Sequence, residues 1–170
     1  MTLVRTLAFT AAATLSPALA QSVTVWGGVG TELFIVPGVR LGLSAPVGQV
    51  SGLNMAVRGT AGVLVLPLPG DSVDSNGNLS GGVFPLPLVT GDLDLLLSRD
   101  RSGVGFYGGP SVGTVAGAAW LFGGVAGYTN TFGSSNWGYY VEAKVRGAIL
   151  PAADGAGISP GVHLGLTYRF

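Results

Sequence analysis

Nine ionisable side chains of this 170-residue sequence alternate with apolar or small residues along short segments. Asp92 and Asp94 are separated by one leucine, and Glu142, Lys144 and Arg146 follow the same spacing. Successive side chains of a β-strand point to opposite faces, so each segment would collect its charges on one face and its apolar residues on the other. The complete set is Arg40, Arg58, Asp92, Asp94, Glu142, Lys144, Arg146, His163 and Arg169.

Because these nine side chains carry both signs of charge, they could serve three kinds of chemistry. We interpret them as an ion-pair network facing one interior, since an isolated buried charge costs several kcal/mol and therefore requires a partner. A narrow ion-conducting path lined by the same groups is the alternative. Acid–base catalysis is the third possibility, and it depends on neighbouring nucleophiles and histidines.

The sequence offers few residues from which a common catalytic or metal site could be built. His163 is its one histidine. Ser98, Ser111 and Ser159 are nucleophiles in principle, and both Ser111 and Ser159 have a glycine two residues before and two residues after them. Ser111 lies in a predicted strand and Ser159 in a predicted loop, so neither is expected to form the strand-to-helix elbow of a Gly-x-Ser-x-Gly nucleophile. Metal sites of the zinc type draw on Cys and His, and the sequence has no cysteine. We therefore expect no enzyme activity, no metal and no cofactor, with Asp92 and Asp94 paired to arginine.

Phosphate and nucleic-acid ligands are also not expected. The glycine-rich runs at 27–30 and 103–109 precede no helical pattern, and the sequence has no Gly-Lys-Ser or Gly-Lys-Thr. Lys and Arg residues are spaced singly rather than clustered, unlike the basic patches that bind a phosphate backbone.

Strands must position these side chains, and eight segments have strand character. Segment 38–44 alternates Val39, Leu41 and Leu43 with polar or small residues. The stretch 67–87 contains four prolines and an Asp/Ser/Asn/Gly run, which predicts the largest surface loop. The register of the sixth segment is ambiguous because it is rich in glycine. The predicted strands are 21–30, 38–44, 53–66, 88–98, 104–112, 118–128, 137–150 and 162–170.

Composition favours a membrane β-protein over a membrane helix. The sequence is 48% hydrophobic and 9% charged, with 30 glycines. A soluble domain has about 25% charged residues. After residue 20, however, glycine, proline and polar residues interrupt every apolar run before it reaches the roughly 18 residues of a membrane helix. A closed β-barrel satisfies its backbone without helices.

The first 20 residues have the pattern of a secretory signal peptide. Arg5 precedes an apolar run at 7–15, and small residues stand at Ala18 and Ala20. We expect cleavage before Gln21, which leaves one domain at 21–170. Export without cysteine removes disulfides as a source of stability.

The last segment alternates strictly and ends in Tyr168-Arg169-Phe170. This ending resembles the closing strand of bacterial outer-membrane β-barrels, a family in which the terminal aromatic residue is read by the barrel-assembly machinery. The resemblance implies an all-β, eight-stranded, antiparallel, up-and-down transmembrane β-barrel similar to the membrane part of outer membrane protein A. Tyr168 and Phe170 would then form the assembly signal.

The resemblance also implies a location and a set of partners. The protein would lie in the cell outer membrane, in contact with membrane lipid, after delivery by periplasmic chaperones to the outer-membrane assembly machinery. Both termini would face the periplasm, so the connection at 67–87 would be external and the short turn at 99–103 periplasmic. The ligand of the external loops stays unknown. Aromatic residues lie near the predicted strand ends, where aromatic girdles would sit, although Trp26 has the wrong parity for a lipid contact; they are Trp26, Trp120, Trp137, Tyr139 and Tyr168.

We expect a noncatalytic envelope protein that contributes to membrane integrity or surface interaction through its external loops. A narrow channel remains an alternative. A lipid-modifying barrel enzyme similar to lipid A deacylases is another, although no serine stands two residues after His163. A soluble, lipocalin-like barrel would have the same alternation with the two faces exchanged, and alternation alone does not exclude it.

Overall fold

The computed structural model describes residues 23–32, 35–73, 79–100, 103–115, 119–150 and 155–170. All regular structure in these residues is β-strand, and eight strands form one closed antiparallel barrel. The predicted strand number and antiparallel order are confirmed, whereas the predicted signal peptide at 1–20 lies outside the described residues. The strands are β1 (Thr24–Glu32), β2 (Val36–Val50), β3 (Leu53–Val73), β4 (Leu79–Ser98), β5 (Gly105–Val115), β6 (Ala119–Thr131), β7 (Trp137–Leu150) and β8 (Gly155–Arg169).

The ring closes between the first strand and the last. Val25 of β1 lies opposite Tyr168 of β8, and Val29 lies opposite Leu164. Every other strand pairs with its neighbours in sequence, which is the up-and-down order. Closure gives the strands of the ring a hydrogen-bonding partner on both sides, so the wall has no open edge.

Alternation along each strand separates an apolar outer face from a polar inner face. In β7, Glu142, Lys144 and Arg146 are buried, whereas Val141 and Val145 are more than half exposed. The charged side chains therefore face the interior. Within the described strands of the ring, the charges lie inside and not outside, which is the reverse of the exchanged arrangement.

The register of β6, which the sequence leaves ambiguous, follows from its pairing with β7. Trp120 lies opposite Ile149 and Val125 lies opposite Lys144. This register buries Leu121 and Val125 in the barrel and exposes Trp120 on the outer surface.

The connection between β2 and β3 is a two-residue hairpin turn. Val50 pairs with Leu53, and the intervening Ser51 and Gly52 both have positive φ, 49° and 80°. Such a turn matches the right-handed twist of the flanking strands, and it favours glycine at the second position. β2 thus extends to Val50 instead of ending at residue 44.

The predicted large loop at 67–87 is wrong, because most of it belongs to a long β3–β4 hairpin. Pro67 lies opposite Pro85, and the pairing continues to Val73 opposite Leu79. The neighbouring strands do not extend this far: β2 pairs with β3 only up to Leu64, and β5 pairs with β4 only from Thr90. The hairpin therefore projects beyond the ring, at the end opposite Val23 and Phe170.

The position of the prolines explains why a sheet tolerates them here. The prolines of the β3–β4 hairpin all lie in every second pair of the ladder, so they occupy equivalent positions. They are Pro67, Pro69, Pro85 and Pro87. In one class of antiparallel positions the backbone N–H points away from the partner strand. Because no third strand lies beside the projecting hairpin, proline loses no hydrogen bond there. Pro160 follows the same rule, since β8 pairs with β1 only from Gly161 onward, and β8 begins at Gly155 instead of residue 162.

We predict that the projecting hairpin is dispensable for barrel folding. Replacing residues 67–85 by Asn-Gly joins the paired residues Leu66 and Leu86 through a two-residue turn and leaves all pairing within the ring unchanged. The shortened protein should refold in detergent and keep a heat-modifiable mobility on gels.

Deletion of Ala61 and Gly62 is the matched control, because both residues pair with β2 and β4 inside the ring. This control should lose the folded band. Loss of the folded band in the hairpin replacement would contradict the prediction.

Candidate functional site: the charged barrel interior

The interior is filled in three layers. Near the chain termini, an aromatic layer contains Trp26, Leu96, Tyr107, Val125 and Tyr140, with edge-to-face contacts between Trp26 and both tyrosines. The charged side chains lie in the middle. At the opposite end, a smaller apolar cluster closes the interior; it consists of Ala119, Leu121 and Ala148, with Val115 and Leu150 against it. An eight-stranded barrel is just wide enough for side chains to fill.

Arg58 connects the aromatic layer to the charges. Its Nη2 lies 2.6 Å from Asp94 Oδ2 and 2.6 Å from Glu142 Oε2, and its guanidinium carbon lies 4.8 Å from the centre of the Trp26 ring. Tyr107 donates a hydrogen bond of 2.8 Å to Glu142 Oε2. The planar guanidinium allows Arg58 to bind two carboxylates and still stack on an aromatic ring.

Lys144 and Arg40 link the carboxylates at the centre. Lys144 Nζ lies 3.0 Å from Asp92 Oδ2 and 3.0 Å from Asp94 Oδ1. Arg40 Nη2 lies 2.9 Å from Asp92 Oδ2, and its Nη1 lies 3.1 Å from Glu142 Oε1. Each central carboxylate therefore contacts at least two cations.

Arg146 and His163 extend the network toward the apolar end. Arg146 Nη2 lies 2.6 Å from Glu32 Oε1, and its Nη1 lies 2.5 Å from Asp92 Oδ1. His163 Nε2 is 3.3 Å from Glu32 Oε1, and Ser159 donates a hydrogen bond of 3.2 Å to Glu32 Oε2. Glu32 thus has three polar partners.

The network is balanced in charge. It joins four carboxylates to four Lys and Arg side chains, with His163 between Glu32 and Glu142. Pairing of this kind offsets the cost of removing each ion from water, and it leaves no net charge to be neutralised from outside when histidine is neutral. The carboxylates are Glu32, Asp92, Asp94 and Glu142, and the cations are Arg40, Arg58, Lys144 and Arg146.

Eight of the nine residues selected from the sequence meet in this network, and Arg169 does not. Arg169 faces the interior side of β8, but it lines a cavity of about 310 Å³ at the barrel mouth beyond Trp26 and Tyr107. Its Nη2 donates a hydrogen bond of 3.1 Å to the backbone oxygen of Gly103. The aromatic layer separates Arg169 from the ion pairs, so its assignment to the network is corrected.

Sequence reasoning missed Glu32 and Tyr107. The first strand was predicted to end at Gly30, whereas β1 continues to Glu32, an even position on the same face as Trp26. Tyr107 lies within the run 103–109, which was interpreted only as glycine-rich. In the structure this run leads into β5, where Tyr107, Ser111 and Gly113 are buried at odd-numbered positions. Extending the alternation to the full strand lengths would have found both residues.

Glycine makes room for the charged and aromatic side chains at two close approaches. A Cβ added at Gly113 would lie 3.0 Å from Arg146 Nη1, and one added at Gly165 would lie 2.8 Å from Tyr140 Cε1. Both distances are shorter than an ordinary carbon contact. The remaining space beside His163 is a cavity of about 20 Å³, enough for about one water.

Two of the three candidate nucleophiles, Ser98 and Ser159, are engaged in hydrogen bonds, whereas the buried Ser111 Oγ has no hydrogen-bond partner among the described residues. Ser159 donates to Glu32, and Ser98 donates to the backbone oxygen of Asp100. Among residues of the described ranges, no group of three or more His, Cys, Asp or Glu side chains is arranged to hold a metal ion. The eight charges can therefore hold the strands of the barrel in place through ion pairs across the interior. This is the role that the arrangement offers to all eight of them.

No helix within the part of the chain that the structure describes is long and apolar enough to cross a membrane. Comparisons with protein-family models, with curated proteins and with solved structures find no match.

We predict that single substitutions in the network destabilise the barrel more than charge-balanced pairs do. Arg58→Met leaves Asp94 and Glu142 undercompensated, and breaking a buried pair in this way costs about 3–5 kcal/mol. Arg58→Met combined with Asp94→Asn removes one charge of each sign, so it should cost no more than Arg58→Met alone. The free energy of unfolding is measured by urea titration in lipid vesicles.

Arg169→Met is the matched control, because it removes the same side chain outside the network and should change the free energy of unfolding by about 0.5 kcal/mol or less. A double variant whose cost equals the sum of the two single costs would show that Arg58 and Asp94 are not coupled.

Proposed function

We propose that this chain is a noncatalytic, integral outer-membrane β-barrel that contributes to the integrity of the envelope or to surface interactions through its external end. The observation that carries the proposal is the outer surface of the barrel wall. Within the described ranges, no outward-facing side chain of the paired ring carries a charge, and most of these side chains are apolar or small.

The outer wall presents large apolar side chains where a soluble protein would present charges. Leu41 is 69% exposed and Val145 is 61% exposed, and similar residues continue around the ring on β1, β4 and β8. Soluble monomers rarely expose a contiguous apolar patch larger than a few hundred Å². In hydrocarbon, unlike in water, exposing such an apolar surface has no free-energy cost.

The outward aromatic residues support a membrane of ordinary thickness. On β6, Trp120 and Tyr128 both face outward near opposite ends of the strand. Their eight-residue separation corresponds to about 27 Å along the strand, and to roughly 20 Å along the axis of a barrel with tilted strands. The apolar band of outer-membrane barrels is about 25 Å tall and is bordered by aromatic girdles.

The interior supports a closed structure more than a channel or an enzyme. The three layers fill the lumen with side chains that contact one another, and the charges are satisfied by ion pairs. The proposal places the termini in the periplasm and the β3–β4 hairpin outside the cell. Tyr168 and Phe170 remain the proposed assembly signal. The centres of their rings lie 5.0 Å apart, and the Tyr168 ring also packs against Trp137.

We predict that a charge in the middle of the outer wall destabilises the barrel. Val145 lies opposite Gly124, midway between Trp120 and Tyr128 on the neighbouring strand. Val145→Arg should lower the free energy of unfolding in lipid vesicles by about 2–4 kcal/mol, the cost of arginine near the bilayer midplane.

Val50→Arg is the matched control, since Val50 is half exposed next to the turn at the end of β2. Near the interface the same substitution should cost about 0–1 kcal/mol. If Val145→Arg instead stabilised the protein and made it monomeric in buffer without detergent, the outer wall would face water and the membrane proposal would fail.

A further inference from the structure

The barrel mouth at the end of the chain termini contains a cavity that the ion-pair network does not use. The cavity has a volume of about 310 Å³, and it lies on the outer side of the aromatic layer, with Trp26, Leu96 and Tyr107 in its floor. Proteins bind small molecules in cavities of about 300 Å³ and above. The floor separates the cavity from the ion pairs behind it, so a molecule bound here would stay at the mouth.

The lining of this cavity changes from apolar to polar toward its opening. Ala56 of β3 pairs with Leu96 of β4 beside the floor, and Asn54 pairs with Ser98 at the next inward-facing position toward the opening. Pro46 of β2 adds to the apolar wall. An apolar interior with a few polar groups that fix orientation is the usual design of a small-molecule site. A ligand that matches this lining has an apolar body and one polar end.

Arg169 is the cation of the polar rim. It pairs with Thr24 of β1, at the inward-facing position next beyond Trp26. Its Nη2 donates a hydrogen bond of 3.1 Å to the backbone oxygen of Gly103, and a guanidinium has five N–H donors. The ion pairs of the described residues all lie in the network behind the aromatic layer, and Arg169 takes part in none of them. Arg169 therefore has donors left for an anion in the cavity.

The backbone on both sides of Arg169 is held in place. The Arg169 N–H donates a hydrogen bond of 3.0 Å to the backbone oxygen of Asn136, and the Phe170 N–H donates one of 3.1 Å to the backbone oxygen of Val23. A group on a fixed backbone loses less conformational entropy when a ligand binds. The rim is thus preorganised to hold a charge at this position.

We propose that the cavity binds a medium-chain aliphatic carboxylate, with its carboxylate on Arg169 and its alkyl chain against Trp26, Ala56 and Leu96. The planar fork of arginine matches the two oxygens of a carboxylate. The negative charge of Asp100, which also lines the cavity, favours a single carboxylate over a polyanion. The site lies inside the barrel mouth, so this proposal does not depend on what surrounds the outer wall.

The volume and the floor select the length and shape of the ligand. At about 30 Å³ for each water-sized group, the cavity holds about ten non-hydrogen atoms, which is the size of octanoate. Trp26 already packs against Arg58, Tyr107 and Tyr140, so stacking on an aromatic ligand would compete with these contacts. An alkyl chain needs only apolar contact, which the floor and the wall provide.

Quenching of Trp26 by a brominated acid tests the site, because Trp26 lines the cavity. The full mature chain with phenylalanine in place of Trp120 and Trp137 is refolded into vesicles, and octanoate brominated at its terminal carbon is added. The emission of Trp26 should fall to a plateau as the site saturates. The matched variant that keeps only Trp120, on the outer wall, reports partition of the acid into lipid and should be quenched without saturation.

Unlabelled competitors test both ends of the ligand without altering the site. From hexanoate to octanoate the affinity should rise about fourfold for each methylene, and it should level off once the chain is longer than the cavity. Octanol, which lacks the negative charge, should bind about tenfold more weakly than octanoate or worse, because it loses the hydrogen bonds between ions.

Substitution of Arg169 tests its role. Arg169→Met should weaken octanoate binding about tenfold or more and leave octanol binding unchanged, whereas Arg169→Lys should keep part of the preference for octanoate. Arg99→Met is the matched control, because Arg99 is exposed on the turn after β4 and lies outside the lining of the cavity. This control should bind both compounds as the unsubstituted protein does.

Two results would overturn the carboxylate site whatever the variants do. They are quenching of Trp26 that does not saturate, and equal affinity for octanoate and octanol in protein that keeps Arg169. Heat-modifiable mobility shows that each sample is folded. The same titration can be carried out in vesicles or, for a protein that proves soluble, in buffer, so failure of this site and failure of the membrane proposal are separate results.

Discussion

The burial of eight paired charges inside a narrow ring is the constraint on which the rest of this structure depends. Each strand must turn its polar positions inward, and the apolar positions then necessarily face outward. Lys144 reaches Asp92 and Asp94 of a strand far away in sequence, so the network fixes the register of β4 against β7 through the lumen. The aromatic layer and the apolar cluster close the interior on either side, which keeps the ion pairs in surroundings where they are strong.

Proline marks the places where the ring ends or is interrupted. Four prolines lie on the hairpin beyond the neighbouring strands, and Pro46 lies at the register shift of β2. Pro110 lies inside β5, opposite Gly124 of β6, at the point where the β4–β5 pairing is interrupted between Asp94–Ser111 and Leu97–Gly108. Proline has no backbone N–H to donate, so it suits positions where the pairing is already broken. The four prolines of the hairpin also leave its edges unable to recruit further strands.

The alternation of apolar and polar residues predicted most of the fold, because segments such as 137–150 and 162–170 follow a period of two residues. It also selected eight residues that meet in the ion-pair network, whereas Arg169 faces the interior but lies outside that network. The errors share one physical origin: a proline or glycine was read as a break, although its tolerance depends on whether a third strand lies beside it. That neighbour is set by the closed ring, so the hairpin at 67–87 was beyond local patterns, whereas Glu32 was missed because the first strand was ended at Gly30.

Fluorescence quenching by lipids with brominated acyl chains tests most directly whether the apolar outer wall of the barrel contacts hydrocarbon. Three variants each keep one tryptophan and carry phenylalanine at the other two positions, so that Trp26, Trp120 and Trp137 are observed separately in vesicles. Trp120 and Trp137 should be quenched, and Trp26, buried against Arg58, should keep its emission. Absence of quenching at Trp120 and Trp137 in folded protein, or stronger quenching at Trp26, would contradict the account.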